Sequence, residues 1–123
     1  MSAIPEDFGP LSRTSPFTDL LGPIHEKRAA NGLIIGMLAE KKHCNARGIV
    51  HGGVLGTLAD IAMGYSSAFS TEPPTPMVTT SQTMDYVGKA EQGDWIEVHT
   101  DVQTVRRSTV CANCYVHPSL RPH

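Results

Sequence analysis

At 123 residues the chain fits one domain and leaves little room for a second. Its 40% apolar and 18% charged content excludes a disordered chain, and a net charge of -2 excludes a global basic field for nucleic acid or acidic membrane. Three cysteines exclude a disulfide framework.

The first twenty residues mix Glu6, Asp7, Arg13 and Asp19 with Pro5, Pro10 and Pro16. This predicts a loose lead-in or a short helical turn, with no secretory signal. Leu21-Gly22-Pro23 is a break. Gly32–Glu40 (GLIIGMLAE) is short, apolar and twice interrupted by glycine, which predicts a strand. Asn45–Gly53 (NARGIVHGG) is a Gly-rich connection.

Val54–Ser70 (VLGTLADIAMGYSSAFS) follows. Leu55, Leu58, Ala59, Ala62 and Met63 recur at helical spacing, and Val54, Ile61 and Tyr65 occupy the other sides. A helix apolar nearly all round is expected to be buried. Pro73, Pro74 and Pro76 end it. Met77–Val87 reads as a strand, Trp95–Val105 alternates cleanly, Arg106-Arg107 mark a reversal, and Ser108–Val116 is again β-like. Cys111 and Cys114 fall in that last run, where positions i and i+3 point to opposite faces, so they read as plain reduced thiols. The sum predicts an α+β domain over 1–123, with an antiparallel sheet around one long helix. No apolar run is long enough to span a bilayer, and a cytoplasmic protein is expected.

Asp60 is the single charge between Gly52 and Ser70. A carboxylate on a buried apolar helix is costly unless paired, hydrogen-bonded or used. It either serves a structural bond or does chemistry. His51-Gly52-Gly53 stands just before the helix, where glycines admit close backbone approach and the first amides are unpaired. Those amides and the helix dipole favour a developing negative charge, although a simple anion-binding turn would look similar. Gly52 and Asp60 are eight residues apart, roughly 12 Å along one helix at ~1.5 Å per residue. If both serve one reaction, they must come from two copies of the chain.

The stretch Asn45–Gly64 (NARGIVHGGVLGTLADIAMG) resembles the signature of hotdog-fold acyl-CoA thioesterases of the phenylacetate-pathway type. Leu21-Gly22-Pro23-Ile24 and Met84-Asp85-Tyr86-Val87 fit the same layout, and the likeness covers about residues 17–116. The resemblance implies hydrolysis of a small or medium acyl-CoA by a homodimer or homotetramer with composite sites. It implies that the Gly52 amide polarises the thioester carbonyl. Asp60 of the other subunit would act as general base or nucleophile. Asn45 and His51 would hold or orient the reacting groups, and Thr79 would place the water. Ser81 shares the face of Thr79, and Gly53 adjoins Gly52; both are expected at the substrate.

Lys89, Arg106 and Arg107 are candidates for the CoA phosphates, against the plainer reading of solvated turn charges. Tyr65, Phe69, Met63 and Met84 could line an acyl pocket, though each is an ordinary core residue. No metal or cofactor is expected: a thiolate leaves unaided, and Cys44 with His43 and His51 matches no zinc spacing. The family pattern carries one more strand after Ser108–Val116. Here Pro118 and Pro122 argue against one, so the last strand is expected to be missing. Two other readings stand beside hydrolysis: a hydroxyacyl-thioester dehydratase, which would want a His that this helix lacks, and a non-catalytic acyl-thioester-binding oligomer.

Overall fold

The computed structural model describes residues 4–30, 32–86, 88–105 and 110–118. Strand β1 is Gly9–Pro10, helix α1 Pro16–Leu21, β2 His25–Ala29, β3 Gly32–Leu38, α2 Gly52–Ala68, β4 Trp95–Val105 and β5 Val110–Pro118. The strands form one antiparallel sheet in the order β1-β2-β3-β4-β5. The α+β expectation therefore holds, with α2 lying across β3, β4 and β5.

Alternation along the strands divides the sheet into two faces. Leu33, Ile35 and Met37 of β3 and Ile96 and Val98 of β4 turn toward α2, where they meet Leu58 and Ala62. On the opposite face Trp95 is 2% exposed, under Phe8 in an edge-to-face contact at 5.1 Å. Gly36 makes room for it: a Cβ there would lie 2.2 Å from the Trp95 ring.

The N-terminal segment is not the loose lead-in expected from its prolines. Phe8 and Leu11 are buried, β1 pairs with β2, and Ser15 caps α1 by accepting from the Thr18 amide, with Pro16 at the first helical position. Strand β2 (HEKRA) carries no apolar alternation, yet it forms the hairpin partner of β3.

Met77–Tyr86 is not the strand that its composition predicts. The segment is largely exposed, and its backbone makes no backbone hydrogen bond among the described residues. A strand needs a neighbour as well as β-prone residues, and none of the described strands pairs with it. Among the described residues the outer edge of β5 is likewise unpaired, and a cleft separates β5 from residues 81–86 and 88–90. Residues 119–123, where no final strand was expected, lie outside the described residues. Among the described residues no helix is long and apolar enough to cross a membrane.

The approach to α2 is pinned by His43, which is 1% exposed. Its Nδ1 accepts from the Glu40 amide at 2.9 Å, so the ring proton sits on Nε2 and is donated to the Leu21 carbonyl at 2.6 Å. The residue is thus a strut between two loops, not a ligand. His43→Leu is expected to lower unfolding free energy by about 1–3 kcal/mol, because both backbone partners lose their bond. Urea titration at fixed chain concentration checks this.

Candidate functional site

The loop before α2 is folded by its own polar groups. Asn45 Oδ1 accepts from the amides of Arg47 (2.9 Å) and Ile49 (3.2 Å), and Gly48 takes the left-handed φ of +77° that this tight turn needs. The Asn45 carbonyl oxygen is therefore committed to the turn, and its amide NH2 has no acceptor among the described residues. His51 is the N-cap of α2: its Nδ1 accepts from the Gly53 amide at 2.8 Å. That fixes its proton on Nε2, on an exposed side chain.

The consequence for the two glycines is opposite. The Gly53 N–H is spent on the cap, so its amide is not the free donor that the sequence suggested. The Gly52 N–H has no acceptor among the described residues and stands at the positive end of a 17-residue helix. Gly52 is tightly placed as well, since a Cβ would come 3.3 Å from the Tyr86 ring.

Asp60 lies two turns further along α2. The buried residues of the helix are Leu58, Ala59, Ala62, Ser66 and Ser67, and Asp60 is exposed. This corrects the expectation of burial. The sheet covers one side of α2, against which Val54 and Ile61 also pack, and Asp60 faces away from that core. Among the described residues Asp60 forms no ion pair. Its partner is Thr79, whose hydroxyl donates to Asp60 Oδ1 at 2.5 Å. Ser81, which shares the face of Thr79 in the sequence, makes no hydrogen bond to Asp60 among the described residues.

Two residues given no site role in the sequence hold this arrangement. Gln82 Nε2 donates to the Gly56 carbonyl and Tyr86 OH to the Gly52 carbonyl, each at 2.9 Å. With Thr79 they tie an otherwise unpaired segment to α2 at positions 52, 56 and 60. The four-residue spacing of those helix positions marks one face, but nothing local says that residues 79–86 will meet it.

Asp60, Thr79 and Ser81 border a recess of about 130 Å³. Lys89 is paired with Glu91 at 3.2 Å, with both side chains exposed, and it lines the larger cleft beside β5. Arg106 and Arg107 lie outside the described residues, as does the side chain of Cys111. Of the acyl-pocket candidates, Met63 and Met84 line the larger cleft. Tyr65 and Phe69 do not: the Tyr65 hydroxyl donates to the Arg13 carbonyl at 2.9 Å, and the Phe69 ring carries the guanidiniums of Arg13 and Arg28 at 5.6 and 4.9 Å.

Comparison with known proteins adds a family to this geometry. A family model described as "Thioesterase superfamily" matches residues 47–119. A Pseudomonas aeruginosa protein named "Putative esterase" is 45% identical over 122 residues, which is 98% of this chain and 91% of that one. Human acyl-coenzyme A thioesterase 13 is 31% identical over 93 residues, 75% of this chain and 66% of that one. Among solved structures, the zebrafish thioesterase superfamily member 2 superposes with a TM-score of 0.77 at 26% identity, covering 85% of this chain and 76% of that one. A mutant of the phenylacetic acid degradation protein from Thermus thermophilus does so with a TM-score of 0.75 at 26% identity, covering 85% and 87%. With a family model matched over more than half its length and a sheet-on-helix architecture shared with these structures, the chain belongs to the thioesterase superfamily and has the hotdog fold.

Proposed function

We propose that the protein is an acyl-CoA thioesterase that works as a homo-oligomer, each site combining the Gly52 helix tip of one subunit with Asp60 of another. The observation that carries this reading is a division within α2. An unengaged amide stands at the tip, and a Thr79-bound carboxylate sits on the uncovered side eight residues on. The two are roughly 12 Å apart along one helix, too far to serve one carbonyl. Two copies of α2 laid side by side and antiparallel bring the tip of each to the middle of the other.

In that arrangement the thioester oxygen accepts from the Gly52 N–H, aided by the positive end of the helix. Asp60 of the partner subunit takes a proton from water through Oδ2, while Thr79 holds Oδ1 and sets the carboxylate plane. The water oxygen bonds to the carbonyl carbon, the C–S bond then breaks, and the products are a free acid and the CoA thiol. The Nε2–H of His51 and the amide NH2 of Asn45 are the remaining donors around the carbonyl and the leaving sulfur. Arg106, Arg107 and Lys89 are the cations proposed for the CoA phosphates. A cytoplasmic setting, where acyl-CoA is made and used, suits this reading.

The test is an acyl-CoA panel with release of free thiol as the readout, followed by subunit mixing. Gly52→Pro deletes the amide donor at a helix position that tolerates proline. It is expected to lower kcat by about 10²–10³-fold, as loss of an oxyanion donor does. Asp60→Ala is expected to be inactive alone. Mixed after exchange, the two should regain up to a quarter of wild-type activity, since hybrid dimers hold one intact composite site. No recovery despite proven exchange argues for sites within one subunit. Binding of acyl-CoA without thiol release would identify a non-catalytic binder.

A further inference from the structure

Two stretches of backbone face each other across the larger cleft, and neither has its hydrogen bonds made there among the described residues. The cleft has a volume of about 650 Å³, with β5 on one side and residues 81–86 on the other. Strand β5 pairs with β4 along one edge, and no described strand pairs with its second edge. Residues 81–86 make no backbone hydrogen bond among the described residues. All six of them line the cleft, so a continuous run of chain borders it and not scattered side chains. From β5 the cleft is lined at alternate positions by Ala112, Cys114, Val116 and Pro118, with Tyr115 between. Leu55 and Met63 of α2 and Ile96 of β4 also line it.

Polar and apolar groups thus share the walls, and the polar ones include both donors and acceptors of the main chain. Such groups gain from a partner that carries N–H and C=O in alternation along its length. A hydrocarbon chain supplies neither, and a carboxylate supplies only acceptors. An extended polypeptide supplies both on each of its two edges, at the repeat of the neighbouring strand.

We propose that the cleft is a slot for one added β-strand, given by a separate polypeptide, which pairs with β5 on one side and lies against residues 81–86 on the other. The inference goes beyond thioester hydrolysis and does not rest on it. The residues that follow β5 are poor occupants, because Pro118 and Pro122 bring no N–H to either edge. The walls state the chemistry of the partner. Ala112 to Pro118 corresponds to about seven residues, ~20 Å of strand at ~3.3 Å per residue. Side chains set beside Ala112, Cys114 and Val116 meet Leu55 and Met63, so every second position is apolar. Those between point the other way, as Tyr115 does at 62% exposure, and are polar. β-Branched residues suit such a half-buried strand, and proline does not.

The experiment uses the wild-type protein and three synthetic heptapeptides, each acetylated and amidated. The probe has valine at its second, fourth and sixth positions and threonine or lysine between. One control has the same composition with the three valines adjacent, which destroys the alternation. The other is the probe with its valine amides N-methylated, which removes the donors from one edge. Hydrogen exchange followed by mass spectrometry reads residues 81–86 and Val110–Pro118.

At a concentration about ten times its Kd, the probe should slow exchange in both segments about tenfold, because only the free fraction stays open to solvent. Neither control should do so at the same concentration. No slowing at millimolar probe overturns the proposal, and so does equal slowing by the controls. Full protection of both segments before any peptide is added overturns it as well, since the oligomer would then fill the slot from its own chains. Thiol release is not measured, so the outcome stands apart from the thioesterase reading.

Discussion

Asp60→Asn is expected to reduce thioester hydrolysis by at least about 10³-fold, within the 10²–10⁴ range of a positioned general base, while the fold and oligomer persist. The substitution keeps size and shape, and Asn Oδ1 can still accept from the Thr79 hydroxyl, so the contact that ties residues 77–86 to α2 survives. What it removes is the one basic oxygen. Because Asp60 is exposed within one chain and forms no ion pair among the described residues, no buried partner is orphaned. A change in turnover therefore reports chemistry and not unfolding. The measurement is thiol release under saturating acyl-CoA, with circular dichroism and sedimentation velocity on the same sample. Wild-type turnover in the variant would remove Asp60 from the mechanism. Intact acyl-CoA binding together with lost turnover would separate a catalytic role from a binding one.

Trp95→Ala is expected to cost about 3–5 kcal/mol of stability, the usual penalty for emptying a buried aromatic site. Trp95 is 2% exposed and fills the face of the sheet away from α2. Phe8 packs edge-on against it at 5.1 Å and His25 lies at 5.6 Å. Its indole N–H donates to Glu97 Oε2 at 2.9 Å, so truncation also strips a partner from a mostly buried carboxylate. The site cannot collapse easily, because Gly36 beneath the ring has no side chain to move into the void. Denaturant unfolding followed by circular dichroism at equal chain concentrations checks this. A loss under about 1 kcal/mol would mean that the N-terminal segment closes over the gap. At temperatures where the variant stays folded its turnover should match wild type, since Trp95 and Asp60 lie on opposite sides of the α2–sheet interface.

Legibility in the sequence followed how local each cause was. Val54–Ser70 was readable as a helix, and Trp95–Val105 and Gly32–Glu40 as strands, because each shows a period or a bounded apolar run. The observed bounds are Gly52–Ala68, Trp95–Val105 and Gly32–Leu38. Strand β2 was not readable. His25–Ala29 is charged and becomes a strand through pairing with β3, a contact its own residues do not announce. Met77–Tyr86 erred the other way: threonines and aromatics describe a strand, but strand formation also needs an edge to pair with. The burial of Asp60 was overestimated for a related reason. Hydrophobicity all round α2 says that every side wants cover, not that one chain supplies it.

By itself, then, the sequence determined the α+β class, the single long helix, the polar turn leading to its tip, and the eight-residue interval between Gly52 and Asp60. These depend on neighbours a few positions apart and on fixed helix geometry. Only the tertiary structure decided that Thr79 and not Ser81 meets Asp60, that the Gly53 amide is spent while that of Gly52 meets no acceptor among the described residues, and that His43 is a strut. It also decided that a cleft opens beside β5. Apart from the Gly53 cap, which His51 makes two residues away, each of those depends on segments distant in sequence coming within hydrogen-bond reach, or failing to, and no local pattern of residues encodes that distance.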